Sequence, residues 1–426
     1  MRRSIPLTTL IAVVVLAVGL AVAWQVIQPG GPPLIAAAIA LPGISPNADG
    51  LTDITGIHYA LRRPASVSIY FVDPAGQRYY FRQDKPRAAG AYDINFSGVV
   101  DAYTLPGETV PDTILARVLP NGQYTWVIAA TDAAGQSNQI TGALAITNAD
   151  TALPVLNAFT ISPPVFTPNQ DGIDDHAIIN LGLSKDIPAT GLKVYLISAD
   201  GSQQLPIGEA VTPIQPGQRG LHEFDYDGGI GQNLQPPPDG QYIVRAIAED
   251  AVGQRVSVDN HVTIQNGGLP KADIVLGQVK WSSNQVLFGQ PLTFTLVVEN
   301  YGTAPLRTSG PDSGWEYTSM AQQANTIGQY LQSGAWRIGI NCDTCLTDYP
   351  WRWALGKTAD LTNIPDSFGR PQYYLMPGQK VEVTGSIILD KIISPRNPQY
   401  FWAGLIHEEV AVVNTNVDPQ LVTIVQ

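Results

Sequence analysis

Internal repetition constrains this chain more than any other feature. Ser45-Pro46-Asn47-Ala48-Asp49-Gly50-Leu51-Thr52-Asp53 returns as Thr167-Pro168-Asn169-Gln170-Asp171-Gly172-Ile173-Asp174-Asp175, 122 residues later. Asn121-Gly122-Gln123-Tyr124 returns as Asp239-Gly240-Gln241-Tyr242, and Asp132-Ala133-Ala134-Gly135-Gln136 as Asp250-Ala251-Val252-Gly253-Gln254, both at an offset of 118. Loop-length change accounts for the small drift between the two offsets, so one module is used twice.

Within each module the hydrophobic period is two. Tyr124, Trp126, Ile128 and Ala130 share a face after Asn121-Gly122. Tyr242, Val244, Ala246 and Ala248 do the same after Asp239-Gly240, with Arg245 and Glu249 opposite. Val67, Ile69 and Phe71 alternate before the turn Asp73-Pro74-Ala75-Gly76. Such alternation marks half-buried strands, and Asn-Gly or Asp-Gly marks a tight turn. Composition agrees: 40 Gly and 34 Pro in 426 residues supply turns, and charged residues are only 14%. Short strands at close spacing predict a β-sandwich of about 100 residues per module.

The order S/T-P-N-x-D-G-x-x-D, a strand ending at D-x-x-G or A-D-G, D/N-G-x-Y and a closing D-x-x-G resembles the Ig-like domain of flagellar hook-capping proteins. The resemblance covers residues 41–148 and 160–266. It implies an Ig-like sandwich and says little about activity, because such modules serve as spacers in many bacterial surface proteins. The first copy departs from the pattern at Asn95-Phe96-Ser97-Gly98, where the second has Asp225-Tyr226-Asp227-Gly228.

The pattern changes after Lys271. Gly289-Gln290-Pro291 leads into Leu292, Phe294, Leu296 and Val298 on one face, ending at Asn300-Tyr301-Gly302. Pro377-Gly378-Gln379 leads into Val381, Val383, Ile387 and Leu389. This frame resembles the adhesion-type Ig-like domains related to CARDB modules. Between the two strands lies a long insertion, residues 303–375, in which Met320, Ala324, Ile327 and Leu331 fall at helical spacing.

At the N-terminus Arg2 and Arg3 precede an uncharged stretch from Ile5 to Ile27. Its length suffices to cross a hydrocarbon core, and the arginines would stay cytoplasmic. Ala21-Val22-Ala23 also reads as the cleavage pattern of a signal peptide. Either way residues 29–426 lie outside the cytoplasm. The expected fold is therefore all-β: three tandem Ig-like β-sandwich domains after an N-terminal transmembrane or signal helix. The expected order is 1–28 anchor or signal peptide, 29–40 linker, 41–148 and 160–266 repeated modules, and 271–426 the distinct domain, with linkers at 149–160 and 266–271.

Two clusters are candidate binding sites. In the repeated loops, hard oxygens at alternate positions around a Gly are how Ca²⁺ loops gather ligands. Asn47, Asp49 and Asp53 with Asp132 form one such set, and Asn169, Asp171 and Asp175 with Asp250 the other. The competing reading is an Asx-type turn whose side chains cap backbone N–H groups. The second cluster is aromatic: Trp315, Trp336, Trp351 and Trp353 fall in the insertion, beside Tyr317, Tyr330 and Tyr349. Exposed, these rings suit glycan stacking or a protein partner; buried, they form a local core.

Cys342 and Cys345 suit a local disulfide in an oxidising compartment. Thioredoxin-like redox chemistry would need a βαβ context, and structural zinc a second ligand cluster. The formal charge of −12 and pI near 4.8 argue against nucleic-acid binding. His58, His176, His222, His261 and His407 show no zincin spacing, and no nucleophile elbow, Walker loop or dinucleotide fingerprint occurs.

The expected function is that of a non-catalytic bacterial cell-surface protein, a two-module stalk presenting a distal interaction domain to a protein partner or surface glycan. Its cofactor, if any, is structural Ca²⁺, and its N-terminal helix meets the membrane. Alternatives are a carbohydrate-binding protein using the aromatic insertion and an unrecognised extracytoplasmic hydrolase.

Overall fold

A computed structural model describes residues 31–329, 332–393 and 395–426. The expected anchor Ile5–Ile27 lies outside the described residues. Among the described residues no helix is long and apolar enough to cross a membrane. The described chain is all-β, its only helical elements being four short 3-10 turns. It divides into two compact units. One holds residues up to Thr160 with Asn180–Phe224 and Ile243–Asn260; the other holds Ile161–Ile179, Asp225–Tyr242 and His261–Gln426.

In the first unit the first repeat is a two-sheet sandwich. One sheet runs Leu34–Ile39, Thr55–Leu61, Gly90–Phe96; the other runs Gly43–Ile44, Ser137–Ile146, Gly122–Asp132, Ala65–Val72, Arg78–Arg87. The alternating faces close on each other. Val67, Ile69, Phe71, Tyr124, Trp126, Ile128 and Ala130 are all buried in one core with Ile57, Tyr59 and Phe96. Phe71 stacks on Phe96 at 4.3 Å between ring centroids.

Two departures from the sequence reading occur here. The expected linker contains a strand, Leu34–Ile39, antiparallel to Thr55–Leu61. Leu156–Ser162 is its counterpart in the second repeat, beginning in the other expected linker. Leu34 and Leu156 stand at the same 122-residue offset as the loops, so each spacer belongs to the module after it. The second departure is the pair Val99–Asp101 and Thr113–Val118, which leaves its own module. Thr113–Val118 pairs antiparallel with Arg255–Ser257 of the second repeat. The boundary 41–148 therefore does not enclose an isolated sheet.

In the second unit the strands predicted from alternation pair directly. Pro291–Asn300 runs antiparallel to Lys380–Ile388, with Phe294 opposite Gly385 and Val298 opposite Val381. The insertion 303–375 is no excursion from this frame. Leu306–Thr308, Trp336–Cys342 and Tyr373–Leu375 lie within the facing sheet, between Gln399–His407 and Thr362–Asn363, and Trp351–Ala354 pairs with Trp336–Cys342. The helical spacing at Met320 yields only a 3-10 turn, Asn325–Ile327, ended by Gly328 at φ 82°. Leu331 lies outside the described residues.

Candidate functional site

The repeated loops are built alike. In the first, Asp53 Oδ1 accepts the N–H groups of Asn47 and Ala48 at 3.0 and 2.9 Å, and Oδ2 accepts that of Gly50 at 2.7 Å. Asn47 Oδ1 accepts Asp49 N–H, and Asp49 Oδ1 accepts Leu51 N–H. Asp49 Oδ2 takes the Asn47 side-chain amide at 3.1 Å. Gly50 sits at φ 83°, a conformation that favours glycine. Burial pushes the Asp53 carboxyl up, but the N–H groups of Asn47, Gly50, Ala48 and Asp49 outweigh it and hold it below the ordinary value.

The second loop repeats this bonding in a different setting. Asp175 Oδ1 accepts Asn169 and Asp171 N–H, and Oδ2 accepts Gly172 N–H at 2.6 Å. Asn169 and Asp171 are, however, 2% and 3% exposed. Side chains of the same unit cover the loop. Tyr374 donates its hydroxyl to Asp171 Oδ2 at 2.8 Å, and Arg307 Nε donates to the Asp171 carbonyl at 2.6 Å. His407 Nε2 is 2.7 Å from the Gln170 carbonyl. A Cβ on Gly172 would overlap the Ser333 carbonyl, so this glycine is required by close approach as well as by its φ of 80°.

Burial, then the neighbouring Asp175 charge, pushes Asp171 up to about 6 against Tyr374, Ile173 and Arg307. Asp175 is raised as well, chiefly by burial. Tyr374 is raised by burial and by Asp171. Burial lowers His407 to about 4, and its ring stacks on Trp336 at 4.4 Å. Next to it Glu408 receives Arg352 Nη1 at 2.5 Å and lies 3.4 Å from Arg337.

The fourth residue expected in each set is turned elsewhere. Asp132 accepts Arg63 Nε at 2.6 Å and the N–H groups of Ala134 and Gln136. Asp250 accepts Lys185 Nζ at 3.0 Å and the Gln254 side-chain amide at 2.8 Å, and Lys185 also reaches Asp150 at 2.9 Å. Among the described residues no three His, Cys, Asp or Glu side chains converge as a metal cage. The side-chain oxygens of Asn47, Asp49, Asp53, Asp132, Asn169, Asp171, Asp175 and Asp250 are already acceptors for N–H, O–H or cationic donors. A calcium ion takes six to eight converging oxygens, more than the side chains of either turn supply by themselves.

Of the two readings of the tryptophans, burial applies to three of the four. Trp336, Trp351 and Trp353 belong to the main core of the second unit, and only Trp315, 47% exposed, meets solvent. Trp353 meets Phe294 and Tyr317 edge-on at 4.8 and 5.1 Å and donates its indole N–H to the Trp315 carbonyl at 2.9 Å. These rings are buried because the insertion supplies strands to the sheet. Cys342 and Cys345 are joined by a disulfide.

The residues that cover the second loop, Arg307, Tyr374 and His407, carried no signal in the sequence. Gln254 did: it recurs with Gln136 in the closing turns, and the structure buries it against the Asp150 and Ala152 carbonyls.

No family model and no curated protein matches this chain. Among solved structures it is similar to a tetra-tandem repeat from the extending region of a large adhesion protein, with 11% identity over 87% of this chain and 81% of that one and a TM-score of 0.18. A DUF4785-family protein of Legionella pneumophila matches at 12% identity over 92% and 86%, TM-score 0.22. A Ca²⁺-stabilised adhesin, with which an Antarctic bacterium binds ice, matches at 12% over 87% and 81%, TM-score 0.20. Superpositions this distant carry no argument about function. The all-β class rests on the strands themselves.

Proposed function

We propose that this chain is a non-catalytic protein of the bacterial surface. Two copies of one β-module form a stalk, and residues 271–426 are the part presented for adhesion or for assembly into an envelope complex. One observation carries the reading. The polar residues the repeats share are spent on holding segments together: Asp250 on Lys185 and Gln254, Asp171 on Tyr374. Side chains so committed serve as struts and leave little for turnover.

On this reading the apolar segment Ile5–Ile27 tethers the chain and the remainder projects outward. Recognition by stacked tryptophans loses its support, since three of the four rings are core, and a protein partner is favoured over a neutral glycan for residues 271–426. Protease shaving of intact cells expressing the full chain tests the location. Release of fragments from residues 31–426 is expected, and complete protection until lysis refutes it. Deletion of residues 271–426 is expected to abolish capture of envelope proteins by the full chain. Unchanged capture would move recognition to the repeats.

A further inference from the structure

One surface of the first unit is unexplained by a stalk. The strand Arg78–Arg87 is the outer strand of its five-stranded sheet. It carries Arg78, Arg82, Lys85 and Arg87 against a single acid, Asp84, a net of +3 in ten residues of a chain whose formal charge is −12. Asp84 is bonded to the Ser68 hydroxyl at 2.9 Å rather than to a cation. Among the described residues none of these four cations has a carboxylate at ion-pair distance. Elsewhere in the unit Arg63, Arg117, Lys185 and Arg245 each hold one.

The arginines are also held in place. Arg78 lies over the Tyr70 ring at 5.1 Å, Arg82 over Phe81 at 5.4 Å and Arg87 over Tyr92 at 5.7 Å. A guanidinium over a ring keeps its in-plane N–H groups for a bidentate anion and loses less freedom on binding, which Arg78 and Arg82 can use, whereas the Nε of Arg87 is buried. Charge on an edge strand deters pairing with other chains, but that task needs charge alone. Three guanidinium–ring stacks exceed it.

We propose that this edge strand is a docking surface for an acidic polysaccharide. The cations are strung along a strand that rises ~3.3 Å per residue, so they span about 30 Å in series. A row of this kind fits a linear polyanion, whereas a bilayer presents its charge in a plane. Tyr80, half-buried and 5.3 Å from Tyr70, shares that ring with Arg78 and offers a face for a pyranose ring beside this charged contact. The surface belongs to the first repeat and stands whether or not residues 271–426 carry adhesion.

The test titrates the purified full chain, in calcium-free buffer, with a mannuronate oligosaccharide, with neutral dextran, and with phosphatidylglycerol and phosphatidylcholine vesicles. Saturable binding of the mannuronate and none of dextran is expected. Affinity should fall at least about tenfold between roughly 0.01 M and 0.15 M ionic strength, as the Debye length shortens from ~30 Å to ~8 Å. Arg82→Glu with Lys85→Glu should weaken binding by a further factor of about ten or more. Arg82→Gln with Lys85→Gln should fall between, and it decides the matter if the glutamate variant does not keep the parent's melting temperature. No mannuronate binding at low salt, equal binding of dextran, or parental affinity in the folded charge variants overturns the proposal. A phosphatidylglycerol preference without mannuronate binding assigns the strand to a membrane and overturns it too. Intracellular location in the shaving experiment would refute the surface reading while leaving this binding result intact.

Discussion

Acid titration of the covered loop gives the sharpest prediction, because two buried groups of opposite sign titrate across the same range. Asp171 is raised from 3.8 to about 6, so it holds its proton more tightly folded than unfolded. Its contribution is complete below about pH 4 and is lost as pH rises through 6. His407 is lowered from 6.5 to about 4, so its contribution is complete above 6.5 and is lost as pH falls through 4. At 1.36 kcal/mol per pH unit each is worth about 3 kcal/mol, and over the shared window the slopes oppose each other. Both side chains are 3% exposed, so solvent screens neither. Asp171→Asn keeps an acceptor for Tyr374 and removes one slope. Relative to the parent, the variant should gain about 3 kcal/mol in the second unit between about pH 4 and pH 6.5. His407→Gln should shift by a similar amount in the other direction. Urea unfolding followed by tryptophan fluorescence reads this unit, since Trp281, Trp315, Trp336, Trp351, Trp353 and Trp402 lie in it. If the parent–variant difference moves by less than about 1 kcal/mol across the window, the buried-loop account fails.

Other outcomes follow from the same contacts. Trp353→Ala should cost about 3–5 kcal/mol in urea unfolding, whereas Trp315→Ala should cost less than about 1. Gly50→Ala should cost about 1 kcal/mol for its positive φ, and Gly172→Ala distinctly more because its Cβ meets the Ser333 carbonyl; thermal melts of the two variants separate the effects. Calcium at millimolar concentration should leave the melting temperature of metal-free protein within about 1 °C, since a filled site would add several degrees.

Much of the fold was legible because strand alternation is local. Leu292, Phe294, Leu296 and Val298 declare a buried face by spacing alone, and the structure buries all four. Leu34–Ile39 was harder to see, since Pro-rich surroundings and six apolar residues in a row disguise a strand. Only the repeat offset marks it. The insertion was opaque because its strands are two to seven residues long and interrupted by turns. Its tryptophans alone could not say which way they faced. The partners of the second loop were beyond reach for a different reason. Arg307, Tyr374 and His407 lie 136, 203 and 237 residues from the groups they contact, and no periodicity links positions so far apart.

Comparison of the two loops shows why a repeated motif need not mean a repeated site. Both copies place Asp, Gly and Asp in one hydrogen-bonded turn, so local chemistry is held constant. What differs is the surroundings: Asp53 is stabilised as an anion by backbone N–H groups, whereas burial raises Asp175 despite the same donors. Desolvation exceeds four backbone hydrogen bonds in one copy and not in the other. The turn therefore came first in the physics, as a way to end a strand with few side chains. Burial in the second copy then uses that rigid turn as a packing surface. A cation at either copy would compete with those amide bonds for the same carboxylate oxygens, and in the second also with Tyr374.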